Sequence, residues 1–103
     1  MRTKYRNVKT IVDGIKFDSK KEAARYPELC LLHKAGEIGD IERQVRWPLF
    51  VNDVKICTYI SDFCYHDKHG NYIVEDVKGV KTPMYRLKKK LMKAINGRDI
   101  LET

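Results

Sequence analysis

The chain predicts an α+β domain, on three observations. Apolar residues recur at helical spacing over 19–35 and again over 82–96, whereas the stretch between them is rich in β-branched and aromatic residues. Short polar turns at Asn52-Asp53 and Asp67–Asn71 divide that stretch into three strands, an antiparallel meander over 44–78. The helices flank the strands and do not alternate with them, so they pack on a mostly antiparallel sheet. At 103 residues, one domain over 1–103 is the expectation.

Residues 1–8 are basic and polar and read as a loose arm. Lys9 to Phe17 reads as a β-hairpin, because Asp13-Gly14 supplies the positive φ angles of a two-residue turn between Thr10-Ile11-Val12 and Ile15-Lys16-Phe17. Ser19 and Glu22 then spell a capping box, with Asp18 beside the positive end of the helix dipole. The helix so opened carries Ala23, Ala24, Tyr26, Leu29, Cys30, Leu32 and Ala35, and Gly36 stops it. Pro27 lacks an N–H in mid-helix, which predicts a kink or a break into two pieces. Residues 37–43 connect. Gln44 to Val51 reads as a strand, pushed to a sheet edge by Pro48. Lys55–Tyr65 and Tyr72–Lys78 are the other two strands. Thr82-Pro83 opens a second helix as N-cap and first helical residue, with Met84, Leu87, Leu91, Ala94 and Ile95 as its apolar stripe. Asn96-Gly97 ends it, and Asp99-Ile100-Leu101 is a last short strand.

A formal net charge of +7 favours a polyanionic partner, nucleic acid before an acidic membrane surface. No run reaches membrane-span length, and the start, Met1-Arg2-Thr3-Lys4, lacks the apolar stretch of a signal peptide, so a soluble protein of the cytoplasm is expected. Three cysteines without a C-x-x-C exclude a disulfide framework and a zinc ribbon. Cys64, His66 and His69 fall where a hairpin turn is expected and read as ordinary turn residues.

The chemistry concentrates in Tyr72-Ile73-Val74-Glu75-Asp76-Val77-Lys78-Gly79. Alternation places Asp76 and Lys78 on one face of an apolar strand and Glu75 on the other. Two other acid-x-lysine triplets, at Asp18 and Asp53, are explained by helix capping and by a turn. Asp62 is a second acid among bulky strand residues, one strand earlier. Two carboxylates brought together there repel each other unless a cation sits between them, and hard oxygen ligands select Mg²⁺, with Mn²⁺ as substitute. Such a cation binds a phosphate oxygen and acidifies a water for in-line attack, with Lys78 holding that water. The competing reading is a plain Asp76–Lys78 surface pair on an edge strand.

Asp62, then Asp76-Val77-Lys78 after a hairpin, then a basic helix resembles the PD-(D/E)XK nuclease superfamily. The segments 13–22, Glu42-Arg43-Gln44 and 75–79 are closer still to a small phage-associated branch of it. The resemblance implies a restriction-endonuclease-like core, a divalent-metal requirement and DNA hydrolysis leaving a 5′-phosphate, in the host cytoplasm if the protein is phage-encoded. It implies metal ligation by Asp62 and Asp76, catalysis by these with Lys78, and a place beside the metal for Glu22, which competes with its capping role. Gln44 matches a polar site position, and Ser61 stands where the superfamily often has proline. On the second helix Tyr85, Arg86, Lys88, Lys89 and Lys93 are expected to meet the DNA, the lysines through phosphates and Tyr85 by stacking, against the alternative of a solvated or packed face. One small protomer offers little surface to a duplex, which is compatible with a homodimer. The alternative to a nuclease is a non-catalytic nucleic-acid- or partner-binding protein on the same scaffold.

Overall fold

The protein is described here by a computed structural model covering residues 10–12 and 14–103. The basic arm, Lys9 and Asp13 lie outside the described residues. Strands β1 (Thr10–Val12) and β2 (Ile15–Phe17) pair antiparallel, and Gly14 takes the positive φ expected of the turn. Helix α1 spans Lys20–Lys34. Strands β3 (Glu42–Val51), β4 (Val54–His66) and β5 (Tyr72–Asp76) form the meander, and α2 (Pro83–Asn96) leads to β6 (Ile100–Glu102). The main sheet runs β3-β4-β5-β6; β6 returns parallel to β5, so the sheet is mixed. The crossover through α2 permits that parallel return, and β5 becomes a central strand.

Local chemistry explains most boundaries. Ser19 Oγ accepts from Glu22 N–H at 3.1 Å, and Glu22 Oε2 accepts from Asp18 N–H at 3.2 Å, which completes the capping box. Thr82 Oγ1 caps α2 through Tyr85 N–H, and Gly97 ends it in the left-handed conformation. Asn52 and Asp53, both at positive φ, make the tight β3–β4 turn. Pro48 does lie on an edge strand.

Several expectations change. The first helix runs through Pro27 without a break; that residue is exposed, and tertiary packing of Ala23 and Leu29 on either side holds the helix together. Strand β3 starts two residues earlier than expected, at Glu42. Strand β5 stops at Asp76 because the next N–H, that of Val77, donates to the side chain of Asp62 at 2.8 Å and not to a neighbouring strand. The apolar stripe of α2 is rotated. Tyr85 and Met92 are buried, with Leu91 and Ile95 partly so, while Met84, Leu87 and Ala94 are exposed. The buried tyrosine, not the aliphatic periodicity alone, sets which side meets the sheet.

Two apolar layers cover the two faces of the sheet. Phe17, Ala23, Leu29, Phe63 and Tyr65 form the layer under α1, and Leu49, Tyr59, Cys64, Val74, Tyr85, Met92 and Ile100 the layer under α2. Along β4, Cys57 and Tyr59 face the α2 layer, yet Phe63 and Tyr65, of the same parity, face the α1 layer. Along β3, Val45, Trp47 and Leu49 join the α2 layer, while Ile41 joins the α1 layer and Arg43 lies over the Phe17 ring at 4.4 Å. Both strands therefore exchange faces at one place, the Gln44 and Asp62 positions. There the β3–β4 ladder pairs Arg43 with Phe63 and Val45 with Ser61 but skips Gln44, whose φ is 51°. A side chain at such a crossover belongs to neither layer and can point along the end of the sheet.

A carboxylate and lysine cleft

Asp62 and Asp76 come together through strand register. Phe63 pairs with Glu75 across β4–β5, and one further step brings Asp62 opposite Asp76. Asp76 is only 2% exposed and sits at the end of a central strand, which rules out the surface-pair reading. Its Oδ2 accepts from Tyr59 Oη at 2.5 Å, and its Oδ1 pairs with Lys78 Nζ at 3.0 Å. Asp62 Oδ2 takes the Val77 N–H, which pins that carboxyl to the end of β5.

Glu22 completes a row. It is buried on the first turn of α1, and one of its oxygens accepts from the Asp18 N–H and the other from Gln44 Nε2 at 3.1 Å; it still lies within hydrogen-bonding reach of Asp62. The capping role and the place beside Asp62 are thus not exclusive. The three acids form a row, Glu22–Asp62–Asp76, in which both neighbours act on Asp62. Gln44, exposed on β3, ends the row, and its left-handed backbone turns the amide towards Glu22.

Burial and crowding raise Asp62 and Asp76. Burial, then the proximity of Glu22, pushes Asp62 from 3.8 up to about 6. Burial, then Asp62, pushes Asp76 from 3.8 up to about 7, although Tyr59 and Lys78 pull the other way. The same surroundings, burial first and then the Asp76 charge, hold Tyr59 well above its ordinary value, so it stays a donor to Asp76.

Lys78 is about a quarter exposed, with its ammonium 4.2 Å from the centre of the Tyr85 ring. Its carbonyl accepts from Lys21 Nζ at 3.1 Å. Asp76 and Lys78 line a cleft of about 260 Å³ with Tyr59, Ile60, Met84 and Lys88. Among the described residues, no group of three or more His, Cys, Asp or Glu side chains is placed so that it could hold a metal ion.

Glu75 behaves as its opposite face requires. It is fully buried, and among the described residues its four hydrogen bonds are structural: Arg25 Nε at 2.8 Å, Arg25 Nη2 at 3.0 Å, Tyr65 Oη at 2.6 Å and Thr103 Oγ1 at 3.1 Å. Arg25 lies three residues after Glu22 on α1, and Glu75 lies next to Asp76 on β5, so this pair locks together the two elements that carry Glu22 and Asp76. Arg25→Ala strands a buried carboxylate. It should cost about 3–5 kcal/mol in a urea melt, and a loss under about 1 kcal/mol would show the pair to be dispensable.

The helix α2 side chains divide. Lys88 lines the cleft. Arg86, Lys89 and Lys93 instead line a separate groove against β6, where Lys89 pairs with Glu102 at 3.2 Å and Lys93 with Asp99 at 3.1 Å. Tyr85 is buried, its hydroxyl on Glu102 at 2.7 Å, so stacking on a base is not open to it. Sequence reasoning misses Tyr59 and Lys21. Tyr59 gives no local signal, since only the tertiary register of β4 and β5 delivers its hydroxyl to Asp76. Lys21 leaves a trace: a lysine in the first turn opposes the helix dipole, and such a local conflict often marks a site.

Fold and site define a small α+β domain with a mixed four-stranded sheet, in which Asp62 of β4 and Asp76 at the end of β5 lie side by side, with Glu22 of α1 beside the first and Lys78 beside the second. The chain belongs to the family described as protein of unknown function (DUF1064), which it matches over residues 2–100. No curated protein and no solved structure matches it. No helix among the described residues is long and apolar enough to cross a membrane.

Proposed function

We propose that the chain is a small divalent-metal-dependent DNA endonuclease with a PD-(D/E)XK-type site. The observation that carries this reading is the buried row Glu22–Asp62–Asp76 ending on Lys78 in an open cleft. Burial first, and the neighbouring acid second, raise Asp62 and Asp76 to about 6 and about 7, a cost to their charged forms that one lysine does not remove and that a bound divalent cation would offset. Mg²⁺ fits this donor set. It takes one or two carboxylates and keeps several waters, so a complete protein cage is not required. Asp62 and Asp76 would hold it, with Glu22 beside Asp62. Once bound, it supplies Lewis acidity towards a phosphate oxygen and lowers the pKa of water.

The chain's own groups do the rest. Lys78, held at 3.0 Å from Asp76, presents N–H donors to the attacking water and to charge developing on the phosphoryl oxygens. Tyr59 fixes Asp76, and the Val77 N–H fixes Asp62, so neither carboxylate has to reorganise. Lys88, on the rim, meets a neighbouring phosphate. A second protomer would give cutting of both strands.

The test is incubation of plasmid and branched DNA with the protein in Mg²⁺, Mn²⁺ or EDTA. Cutting in the metal arms with none in EDTA is the expected result. Binding of both substrates without cutting in any metal would replace the nuclease by a non-catalytic binding protein.

A further inference from the structure

A second concavity, larger than the carboxylate cleft, borders α2 among the described residues. It is a groove of about 650 Å³ on the other flank of α2, against β6. Six cations, Lys81, Arg86, Lys89, Lys90, Lys93 and Arg98, line it, against two acids, Asp99 and Glu102. Glu102 is tied down from within by Tyr85 Oη at 2.7 Å, Lys81 at 3.0 Å and Lys89 at 3.2 Å, and these partners, Tyr85 first, hold it at about 2. Its charge serves to fix the floor. Arg98 lies over the Tyr72 ring at 5.2 Å. Arg86 and Lys90, both exposed, form no ion pair among the described residues.

At about 100° per residue, α2 has three sectors. Tyr85 and Met92 lie in the buried centre, Met84 and Lys88 fall on the cleft flank, and Arg86, Lys89, Lys90 and Lys93 fall on the groove flank. Cleft and groove are therefore two cation-bearing troughs separated by one helix, about 10–12 Å across. That matches the two phosphate rows bordering a B-DNA major groove, which is about 12 Å wide and admits a helix. The outward side of α2 carries the half-exposed Leu87 and the exposed Ala94, and offers apolar contact to base edges.

We propose that this groove is a second phosphodiester-backbone site: a DNA duplex straddles α2, one strand entering the cleft and the complementary backbone lying in the groove. The proposal rests on reading the cleft as a nucleic-acid site, and it names double-stranded DNA as the substrate class. An anionic membrane is a poorer fit, because the groove is concave and its two large hydrophobic lining residues, Tyr85 and Ile100, are buried.

Binding is measured in EDTA, where no cutting intervenes, with a fluorescent duplex of about 20 base pairs, long enough to span both troughs, and one of its single strands over a range of salt. For Arg86→Gln/Lys90→Gln, the slope of log affinity against log salt on duplex should fall by about 2, with roughly tenfold weaker binding at moderate salt. The single strand, which engages the cleft alone, should bind this variant as it binds wild type. A control, Lys34→Gln/Lys55→Gln, alters two exposed lysines that line neither trough and should leave the duplex slope unchanged. An unchanged duplex slope in the groove variant, an equal loss on single strand, or loss of binding only to phosphatidylserine vesicles would each overturn the proposal. The single variant Arg86→Gln, expected to lose about half as much slope, guards against a folding defect. A groove-dependent slope in a protein that never cuts would remove the nuclease reading and leave the groove standing. Cutting with a groove-independent slope would do the reverse.

Discussion

Asp76→Asn is expected to abolish metal-dependent cutting while leaving the fold as stable as wild type, or more stable, at neutral pH. Asp76 is buried, and its carboxyl is already raised to about 7 by burial and by Asp62, so its charged form is held against resistance. An amide keeps the shape and can still accept from Tyr59. On the proposed mechanism it removes one of the two carboxylates that would hold the metal, and with it several kcal/mol of stabilisation that would exist only during reaction, on the order of a thousandfold in rate. Asp62→Asn should behave in the same way. Lys78→Met, which removes the ammonium over the Tyr85 ring but keeps an apolar stem of similar length, should lose on the order of a hundredfold or more. The check is a pair of measurements on each variant, initial cutting rate and melting temperature. A variant that cuts normally, or one that loses cutting only because it no longer folds, would remove these acids from the mechanism and return them to the scaffold. A gain in stability on losing a charge is the signature of a site shaped for its chemistry.

The metal-free protein should become less stable as pH rises from about 5 to about 8, and Mg²⁺ should reverse that trend. Asp62 and Asp76 have folded-state values near 6 and 7 against 3.8 for an ordinary aspartate, so the folded chain binds protons more tightly than the unfolded chain does. The stability this contributes is complete below about pH 4 and is lost as pH climbs through about 6 and 7. A carboxyl whose pKa differs by one between the folded and the unfolded chain changes stability by about 1.4 kcal/mol, so the loss amounts to a few kcal/mol across the window. The acids displaced the opposite way, Asp67 and Glu102, act below about pH 4 and leave the window clear. Bound Mg²⁺ needs the ionised carboxylates, so its stabilising effect should be larger at about pH 8 than at about pH 5.5. Thermal melts in EDTA and in millimolar Mg²⁺ at the two pH values decide this. Equal Mg²⁺ effects at both, or a metal-free melting temperature that rises towards the alkaline end, would mean that the cluster neither stores this repulsion nor offers a cation a place.

Much of the fold is legible in the sequence because local chemistry fixes it. Ser19, Glu22, Thr82, Pro83, Gly14 and Gly97 are punctuation whose effect depends on the nearest few residues, and the structure places each at the boundary its chemistry predicts. Where packing decides, the pattern along the chain is a weaker guide. The aliphatic residues of α2 point to one stripe, but Tyr85 has a hydroxyl partner on β6 and a ring under Lys78, and it turns the helix away from Met84 and Leu87. The lysines of α2 read as one basic face, yet Lys88 goes to one trough and Lys89 and Lys93 to the other, because a run of neighbours on a helix fans around its axis.

By itself the sequence indicated that Asp76 and Lys78 come together while Glu75 faces away, since alternation is a property of a single extended chain, although Lys78 lies two residues beyond the end of β5. It also determined the strand order that makes Asp62 a neighbour. Only the tertiary structure decided how Asp62 reaches both Glu22 and Asp76. That depends on two adjacent strands exchanging faces at Gln44 and Asp62, with Gln44 at φ 51° and the Val77 N–H taken out of the ladder. Such an inversion is held by the two apolar layers, Tyr59 drawn to one and Phe63 to the other. A pattern read along one strand cannot contain it, because the forces that impose it come from helices distant in the chain.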